Sequence, residues 1–159
     1  MDNEKDLNSA SPKFLEAAIA PMHTCEHIVN RVMVNMFGCD RAVSAHIEKK
    51  KSKLDYLLPA EPEEDRFREI EDRVNEVIGR CLPVTAEYVS TAEAKERFDL
   101  GRLPADVSET LRVVKVGDFD ECLCIGRHVE NTSEIGTFKI ISHDYNDGVL
   151  RMRFKLLNK

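Results

Sequence analysis

The chain has 159 residues, of which 42% are hydrophobic and 33% are charged, a composition that fits one globular domain, expected at 11–159. No apolar run approaches the roughly 20 residues that a membrane-spanning helix requires, and the net charge of −6 argues against non-specific coating of nucleic acid while permitting a local basic patch. The five cysteines, an odd number, and an acidic N-terminus without the apolar core of a secretory signal favour a reducing cytoplasm, where thiols stay free for packing or metal.

The N-terminal pattern predicts a tail and two helical segments. Residues 1–10 are expected to be a disordered tail. Ser11 can cap a helix that has Pro12 at its first position, and Pro21 is expected to interrupt it. A second helical run follows and is expected to end at Gly38.

Two strands and a helix are predicted in the middle of the chain. Residues 41–58 alternate enough to indicate two short strands around a lysine-rich turn. Residues 62–82 give a much clearer pattern, because apolar residues recur at helical spacing with charges on the opposite face. The apolar positions are Phe67, Ile70, Val74, Val77 and Ile78.

The C-terminal half predicts mainly strands. Segments 82–90 and 109–119 are expected to be strands, with a short helix capped by Thr91 between them. Segments 135–142 and 149–157 are expected to pair as a hairpin around the turn sequence HDYNDG. These elements predict an α+β fold in which helices pack on one face of a mainly antiparallel sheet.

Two pairs of soft-metal ligands point to a metal site. His23 and His27 are four residues apart in a predicted helix, so their imidazoles can face one point. Cys124 and His128 flank Gly126 at a predicted strand end, where glycine lets the backbone turn both side chains the same way. Three imidazoles and one thiol make a plausible tetrahedral Zn²⁺ set. Because the chain holds five histidines and five cysteines, chance pairing is the alternative that composition leaves open.

Five stretches of the sequence carry a resemblance to a known family. They are HTCEH at 23–27, KLDYLL at 53–58, IEDRVNEVI at 70–78, LRVVKVGDFD at 111–120 and CIGRHVENTSEIGTFKI at 124–140. From about Pro21 to Leu156 the chain resembles the second additional domain of threonyl- and alanyl-tRNA synthetases. This editing domain also exists as a free-standing alanyl-tRNA trans-editing protein. The free-standing form is the closer match, because nothing in this sequence resembles a synthetase core.

The resemblance implies a reaction and a ligand set. The reaction is zinc-dependent hydrolysis, in trans, of the ester that joins a wrong amino acid to a tRNA, with seryl-tRNA(Ala) as the expected substrate. A synthetase pocket made for alanine cannot strongly reject a slightly larger analogue by binding alone, so a second site must remove the errors. The family's metal ligands fall on His23, His27, Cys124 and His128.

The resemblance also implies roles for residues beside the ligands. Catalytic roles fall on Thr24, His27 and Cys124, and Thr24 is expected to read the substrate hydroxyl. The alternative for Thr24 is a hydrogen bond within the first helical turn. The substrate pocket is expected to include Thr24, Gly126, Thr132 and Ser133.

Residues 124–136, which carry Cys124 and His128 and are called the metal loop below, depart from the family pattern at three positions. Where the family reads C-G-G-T-H or C-x-G-T-H, Ile125 and Arg127 flank the retained Gly126. Where the family reads T-G-E-I-G, Ser133 replaces the first glycine. The ligands are retained, while the loop that shapes the pocket is altered.

Other reactive side chains receive weaker roles. Glu26 is a candidate base, but it projects about 100° away from His27 around the helix, which favours a surface salt bridge. Cys25 and Cys122 are expected to be buried or partly buried thiols. Two histidines without a patterned partner are left outside the site: His46 and His143.

Two basic clusters are candidates for binding tRNA. The first is the lysine-rich turn, and the second is one face of the last strand. A solvated surface is the alternative for both. Arg127 is a third candidate, because a guanidinium beside the metal loop can grip a phosphate near the acceptor end, with a structural ion pair as its alternative. The clusters are Lys49, Lys50, Lys51 and Lys53, and Arg151, Arg153 and Lys155.

Two other functions stay open at this point. The altered loop is compatible with a non-catalytic tRNA-binding or regulatory module that keeps the fold and the metal. The negative net charge favours a zinc hydrolase of small esters or amides. The sequence leaves both a monomer and a homodimer open.

Overall fold

The computed structural model describes residues 17–98 and 110–157. The predicted tail at 1–10 and the predicted helix start at Ser11 and Pro12 lie outside these residues. The helices in the described part are α1 (Ala20–Phe37), α2 (Glu64–Gly79) and α3 (Thr91–Arg97). The strands are β1 (Ser44–His46), β2 (Ser52–Leu57), β3 (Val84–Ser90), β4 (Thr110–Val116), β5 (Asp120–Leu123), β6 (Thr137–Asn146) and β7 (Val149–Leu157).

The fold class is the predicted one, α+β with antiparallel strands, but the strands form two sheets instead of one. The larger sheet has the order β1-β2-β7-β6 and the smaller has the order β3-β4-β5. The sequence pattern missed β5, whose four residues, DECL, are too short and too polar to show strand periodicity. All the strands that the pattern did predict are present.

The main core lies between α1, α2 and the four-stranded sheet. Helix α2 buries the five apolar residues that its spacing predicted. They share one cluster with residues of α1, such as Ile28, and with Tyr56 and Phe154 of the sheet. Asn75 fastens α2 to β6, because its side chain both donates to and accepts from the backbone of Phe138, at 3.0 and 2.8 Å.

Helix α1 carries two of the predicted ligands, and both of its ends are explained by local chemistry. A 3₁₀ turn, Ala17–Ile19, leads into it, and Pro21 lies in its first turn, where a missing N–H removes no helical hydrogen bond. Pro21 therefore belongs to the start of α1, and the helix that it was predicted to interrupt begins outside the described residues. The predicted end is confirmed: Gly38 has a φ of 68° and donates to the carbonyl of Val34 at 2.9 Å.

Two local predictions need correction. The N-cap of α3 is Ser90 and not Thr91, since the Ser90 side chain accepts from the N–H of Glu93. The hairpin turn consists of Asp147 and Gly148 alone, with φ values of 50° and 81°. Both φ values are positive, as in the two-residue hairpin turns whose twist matches that of the paired strands. Residues 143–146 (HDYN) are therefore part of β6.

The smaller sheet places the second ligand pair. Its strand β5 ends at Leu123, one residue before Cys124, and β5 contacts α1. The end of β5 thus lies against the helix that carries the two histidines. No helix in 17–98 or 110–157 is both long and apolar enough to cross a membrane.

Candidate metal centre

The structure brings all four predicted ligands together. His23 and His27 come from α1, and Cys124 and His128 come from the segment after β5. One donor atom from each residue can be chosen so that all four lie within 4.8 Å of one another. His23 and His27 are buried, while Cys124 and His128 are partly exposed, so the cluster lies at the edge of the protein interior.

Two of the separations between these donor atoms fit a zinc ion. The Sγ atom of Cys124 lies 3.5 Å from Nε2 of His23 and 3.4 Å from Nε2 of His128. With Zn–S near 2.3 Å and Zn–N near 2.0–2.1 Å, a tetrahedral site requires an S···N separation of about 3.6 Å. One sulfur and three imidazole nitrogens are also a donor set that zinc prefers.

The electrostatics of the cluster favour a thiolate. Burial alone raises the pKa of the Cys124 thiol, but the charge of His27 and hydrogen bonds with His128 and His23 hold that pKa well below its usual range. Burial lowers the pKa of His128 to about 3, which keeps its ring neutral at physiological pH. Burial lowers the pKa of His27, but the charge of Cys124 and the contact with Asp120 raise that pKa well above its usual value. Since a metal binds these groups as a thiolate and neutral imidazoles, His27 would lose its proton on metal binding.

Gly126 is required for a reason that differs from the predicted one. The residue is buried, and a Cβ atom at this position would overlap Cε1 and Nδ1 of the His23 ring. Its φ is not in the left-handed region. The loop backbone therefore needs a glycine because it passes directly against a ligand ring.

Arg112 of β4 holds the metal loop in place. Its Nη1 atom donates to the carbonyl of Gly126 at 2.7 Å and to that of Cys124 at 3.3 Å. Its own carbonyl accepts from the N–H of Cys124 at 3.1 Å. Sequence reasoning missed this residue, because a single arginine in a strand carries no signal of which carbonyls it will reach.

Thr24 is buried against a ligand. Its side chain has no exposed surface, and Oγ1 lies 2.9 Å from Nδ1 of His128 and accepts from the N–H of Val129 at 3.2 Å. These contacts favour a role in holding His128. Recognition of a substrate hydroxyl by Thr24 stays a prediction.

Glu26 does not form the surface salt bridge that its helical position favoured. Its Oε1 atom lies 3.7 Å from Nε2 of His23, and its side chain is only 17% exposed. The same His23 nitrogen faces Cys124, so the Glu26 carboxylate lies beside the ligand cluster. Burial chiefly, and the charge of Glu26 in addition, raise the pKa of the neighbouring Tyr56 hydroxyl.

A buried carboxylate that the sequence did not single out also faces the cluster. The side chain of Asp120 is fully enclosed and receives hydrogen bonds from Arg31 and Arg41, at 2.9 and 2.8 Å. Its Oδ2 atom lies 3.7 Å from Nδ1 of His27. Although burial raises the pKa of Asp120, His27 and Arg41 bring that pKa down to about 2.

Thr132 and Ser133 have structural contacts within the same loop. The Thr132 hydroxyl donates to the carbonyl of Ile78 at 3.0 Å and accepts from the N–H of Leu82 at 2.9 Å. The N–H of Ser133 donates to the side chain of Asn131, which caps a 3₁₀ turn, Thr132–Glu134. These contacts anchor the loop to the end of α2, and the expected pocket role of the two residues stays a prediction.

Two cysteines and two histidines that were not predicted to bind the metal lie outside the ligand cluster: Cys25, Cys122, His46 and His143. Cys25 is buried and Cys122 partly buried, and burial raises the pKa of both thiols. His46 is exposed and pairs with Glu48 at 3.1 Å. The ring of His143 stacks on that of Phe67, with centroids 3.6 Å apart.

The two basic clusters differ in how their charges are used. Arg151 pairs with Asp55 and Arg153 pairs with Asp144, each at 2.8 Å, which favours a structural role for this face of β7. The turn between β1 and β2 presents exposed lysines at positions 49, 50 and 51, and Arg127 is exposed as well. Lys50 and Lys51 are therefore the stronger candidates for phosphate contacts.

Comparison with known proteins identifies relatives of the chain. Residues 111–153 match the family described as "Threonyl and Alanyl tRNA synthetase second additional domain". Alanine–tRNA ligase of Fervidobacterium nodosum is 36% identical over 121 residues, which is 76% of this chain and 14% of the relative. The corresponding ligase of Bdellovibrio bacteriovorus is 32% identical over 135 residues, or 84% of this chain and 15% of the relative. That of Lactococcus lactis subsp. lactis is 33% identical over 138 residues, or 86% of this chain and 16% of the relative. The chain thus spans only about a sixth or a seventh of the length of these curated relatives.

Proposed function

Because the chain belongs to the family of the threonyl and alanyl tRNA synthetase second additional domain, we propose that it hydrolyses mischarged aminoacyl-tRNA in trans at a zinc centre. The observation that carries this proposal is the convergence of His23, His27, Cys124 and His128 on one point. Two motifs about 100 residues apart in the sequence supply these ligands, and the distances from Cys124 Sγ to Nε2 of His23 and of His128 suit zinc.

Seryl-tRNA(Ala) is the substrate that we propose. Serine differs from alanine by one hydroxyl, and a pocket built for a small apolar side chain rejects such an analogue by only about a hundredfold. Removal of the error after charging requires a site that cleaves the ester and needs no ATP. We place this activity in the cytoplasm, where charged tRNA is used.

The chain's own residues supply the ligand shell and a proton acceptor. Bound zinc would polarise the ester carbonyl and activate a water as nucleophile. Oε1 of Glu26, beside His23, accepts a proton from the attacking water as its oxygen bonds to the acyl carbon. The bond between that carbon and the ribose oxygen then breaks, and Glu26 returns the proton to the ribose oxygen. The products are free serine and tRNA.

Exposed basic residues at the lysine turn and at Arg127 would contact the tRNA backbone. Their exposure suits phosphate binding, which needs accessible charge and no specific pocket. With a net charge of −6, the protein is expected to bind tRNA weakly and to lose this binding as the salt concentration rises.

A deacylation assay tests the proposal. Zinc-loaded protein is incubated with seryl-tRNA(Ala) and alanyl-tRNA(Ala), and release of the amino acid is followed beside the Cys124→Ala variant. We expect rapid hydrolysis of the seryl ester, slow hydrolysis of the alanyl ester and little activity in the variant. Binding of tRNA without deacylation would instead support the non-catalytic module, and cleavage of a small ester such as p-nitrophenyl acetate with no cleavage of seryl-tRNA would support the small-ester hydrolase.

A further inference from the structure

Asp120 is a buried carboxylate at the point where α1, β5 and the segment after α1 meet. Its side chain has no exposed surface. Arg31 of α1 donates from Nε to Oδ1 at 2.9 Å, and Arg41 donates to Oδ1 at 2.8 Å and to Oδ2 at 3.2 Å. A carboxylate is buried at this depth only when cations and hydrogen bonds compensate the loss of water. The two arginines provide this compensation and fix the direction of the carboxylate.

The same carboxylate faces a metal-site histidine. Oδ2 of Asp120 lies 3.7 Å from Nδ1 of His27, and this Nδ1 atom is buried without a hydrogen bond of ordinary length. Since Nδ1 is turned to Asp120, Nε2 is the His27 nitrogen left for the ligand cluster. A neutral imidazole that binds a metal through Nε2 carries its proton on Nδ1 and needs an acceptor there.

We propose that Asp120 is the positioning residue of His27: it accepts the Nδ1 proton and orients the ring toward the ligand cluster, while Arg31 and Arg41 hold the carboxylate in place. The inference rests on the proposed function, because it requires a metal at the cluster. The separation of 3.7 Å exceeds an N–H···O hydrogen bond of about 2.7–3.2 Å. We therefore expect the contact to shorten when the metal fixes the His27 ring.

A purely structural role is the alternative. Asp120 would then only tie α1 to β5 through its two arginines, and its loss would destabilise the metal-free fold without changing the intrinsic affinity for metal. A positioning role predicts instead that the intrinsic affinity for metal falls, because removal of an acceptor behind a metal-binding histidine lowers metal affinity about 10–100-fold.

Zinc affinity separates the two roles. Dissociation constants are measured by competition with a chromophoric chelator for the wild type, for Asp120→Asn and for Glu121→Gln. The control removes the charge of the adjacent carboxylate, which is 43% exposed and pairs with Arg97 at 2.6 Å. Arg31 and Arg41 both donate to Oδ1, so the asparagine of Asp120→Asn keeps its oxygen there and turns its NH₂ group, a donor, toward His27. We expect at least about tenfold weaker zinc binding in Asp120→Asn and no change in Glu121→Gln.

Thermal unfolding of the metal-free proteins is recorded in parallel. A lower Tm for Asp120→Asn with unchanged zinc affinity would overturn the inference and leave Asp120 a structural residue. If the wild type itself binds no zinc, the proposed function fails first. Failure of the inference and failure of the proposed function therefore give different results.

A measurement on the wild type covers the case in which Asp120→Asn does not fold. In zinc-loaded protein labelled with ¹⁵N-histidine, NMR identifies which nitrogen of each ring carries the proton. We expect His27 to be protonated at Nδ1, with that proton protected from exchange with water. Protonation of His27 at Nε2, or rapid exchange of the Nδ1 proton, would overturn the inference.

Discussion

Thr24 Oγ1 lies 2.9 Å from Nδ1 of His128, although 104 positions separate the two residues. His128 turns its other nitrogen, Nε2, toward Cys124 at 3.4 Å. If Nδ1–H donates to the threonine, Nε2 keeps the lone pair that a metal needs. The hydroxyl thus links the helix that supplies the first two ligands to the loop that supplies the other two.

This contact predicts the effect of Thr24→Val, a substitution that keeps the shape of the side chain and removes the hydroxyl. The loss leaves the N–H of Val129 and the ring of His128 without a partner, at a cost of about 1–3 kcal/mol for a buried group. We expect zinc affinity to fall about tenfold or more. The rates of hydrolysis of seryl- and alanyl-tRNA(Ala) should fall together, so that the preference for the seryl ester stays unchanged. Chelator competition and kcat/KM on both esters check this result.

Thr24→Ser is the matched control, because it retains the hydroxyl and should retain most of the zinc affinity. The substrate-reading role of Thr24 makes a different prediction. In that case Thr24→Val narrows the seryl over alanyl preference by about one to two powers of ten, or about 1.4–2.8 kcal/mol, at unchanged zinc content. That pattern would return Thr24 to the substrate pocket.

The two ligand pairs were visible in the sequence because each signal is local, and the family resemblance joined the pairs into one site. Helical spacing places His23 and His27 on one face, and a glycine between Cys124 and His128 marks a close turn. The supporting shell was not predictable in the same way. Asp120 meets Arg31 across 89 positions and Arg41 across 79, and no spacing rule links residues so far apart.

The errors in the fold prediction have similar causes. Pattern reasoning detects a strand by alternation over several residues, and β5 offers only DECL. Without β5 the division into two sheets was not visible. A proline can end one helix or lie in the first turn of the next, and the sequence does not separate the two; the structure places Pro21 in the first turn of α1.

Zinc content is the most direct prediction about the centre. Protein purified without chelator should hold about one zinc per chain, and Cys124→Ala should bind zinc more than about a hundredfold more weakly, since loss of a direct ligand exceeds the 10–100-fold effect of outer partners. Elemental analysis and chelator competition provide the measurements. Cys81→Ala is the control, because Cys81 is exposed and lies outside the ligand cluster. Metal-free wild type with full deacylase activity would refute a role for zinc.

Gly126→Ala tests whether the loop must pass against a ligand ring. The added Cβ would overlap the His23 imidazole, so the loop or the ring must move, at a cost of about 1–3 kcal/mol. We expect weaker zinc binding, measured by the same competition. Gly79→Ala is the matched control: a Cβ there meets nothing within 4 Å, and alanine suits the last residue of α2. Equal zinc affinity in the two variants would show that the loop tolerates a side chain at Gly126.

Glu26→Gln tests the proposed proton acceptor without changing the size of the side chain. A general base contributes about 10²–10⁴-fold to the rate, so kcat for seryl-tRNA(Ala) should fall by a factor in that range. Zinc content should stay the same, because Glu26 lies outside the group of four ligands. Glu121→Gln again serves as the control for loss of one carboxylate. If kcat is unchanged, the proton is accepted elsewhere and Glu26 is only a neighbour of His23.

The last prediction concerns the surface that meets tRNA. Lys50 and Lys51 are exposed in the turn between β1 and β2, whereas Arg151 and Arg153 are held by Asp55 and Asp144. Double charge reversal of Lys50 and Lys51 to glutamate should raise KM for aminoacyl-tRNA. It should also reduce the slope of log K against log salt by about 0.7–0.9 for each phosphate that the variant no longer neutralises, because fewer counterions are released on binding.

A comparison variant reverses the same amount of charge on the four-stranded sheet, where Lys155 belongs to the second candidate cluster. Lys139 of β6 and Lys155 of β7 are cross-strand partners, and both are exposed. Their double replacement by glutamate changes the net charge equally, so a general repulsion of tRNA would weaken binding to the same extent in both variants. A local interaction with phosphate predicts a larger fall in affinity and a smaller salt slope for the turn variant alone. If the sheet variant shows the stronger effect, the tRNA lies on the face of β6 and β7, and the lysine turn is a solvated surface.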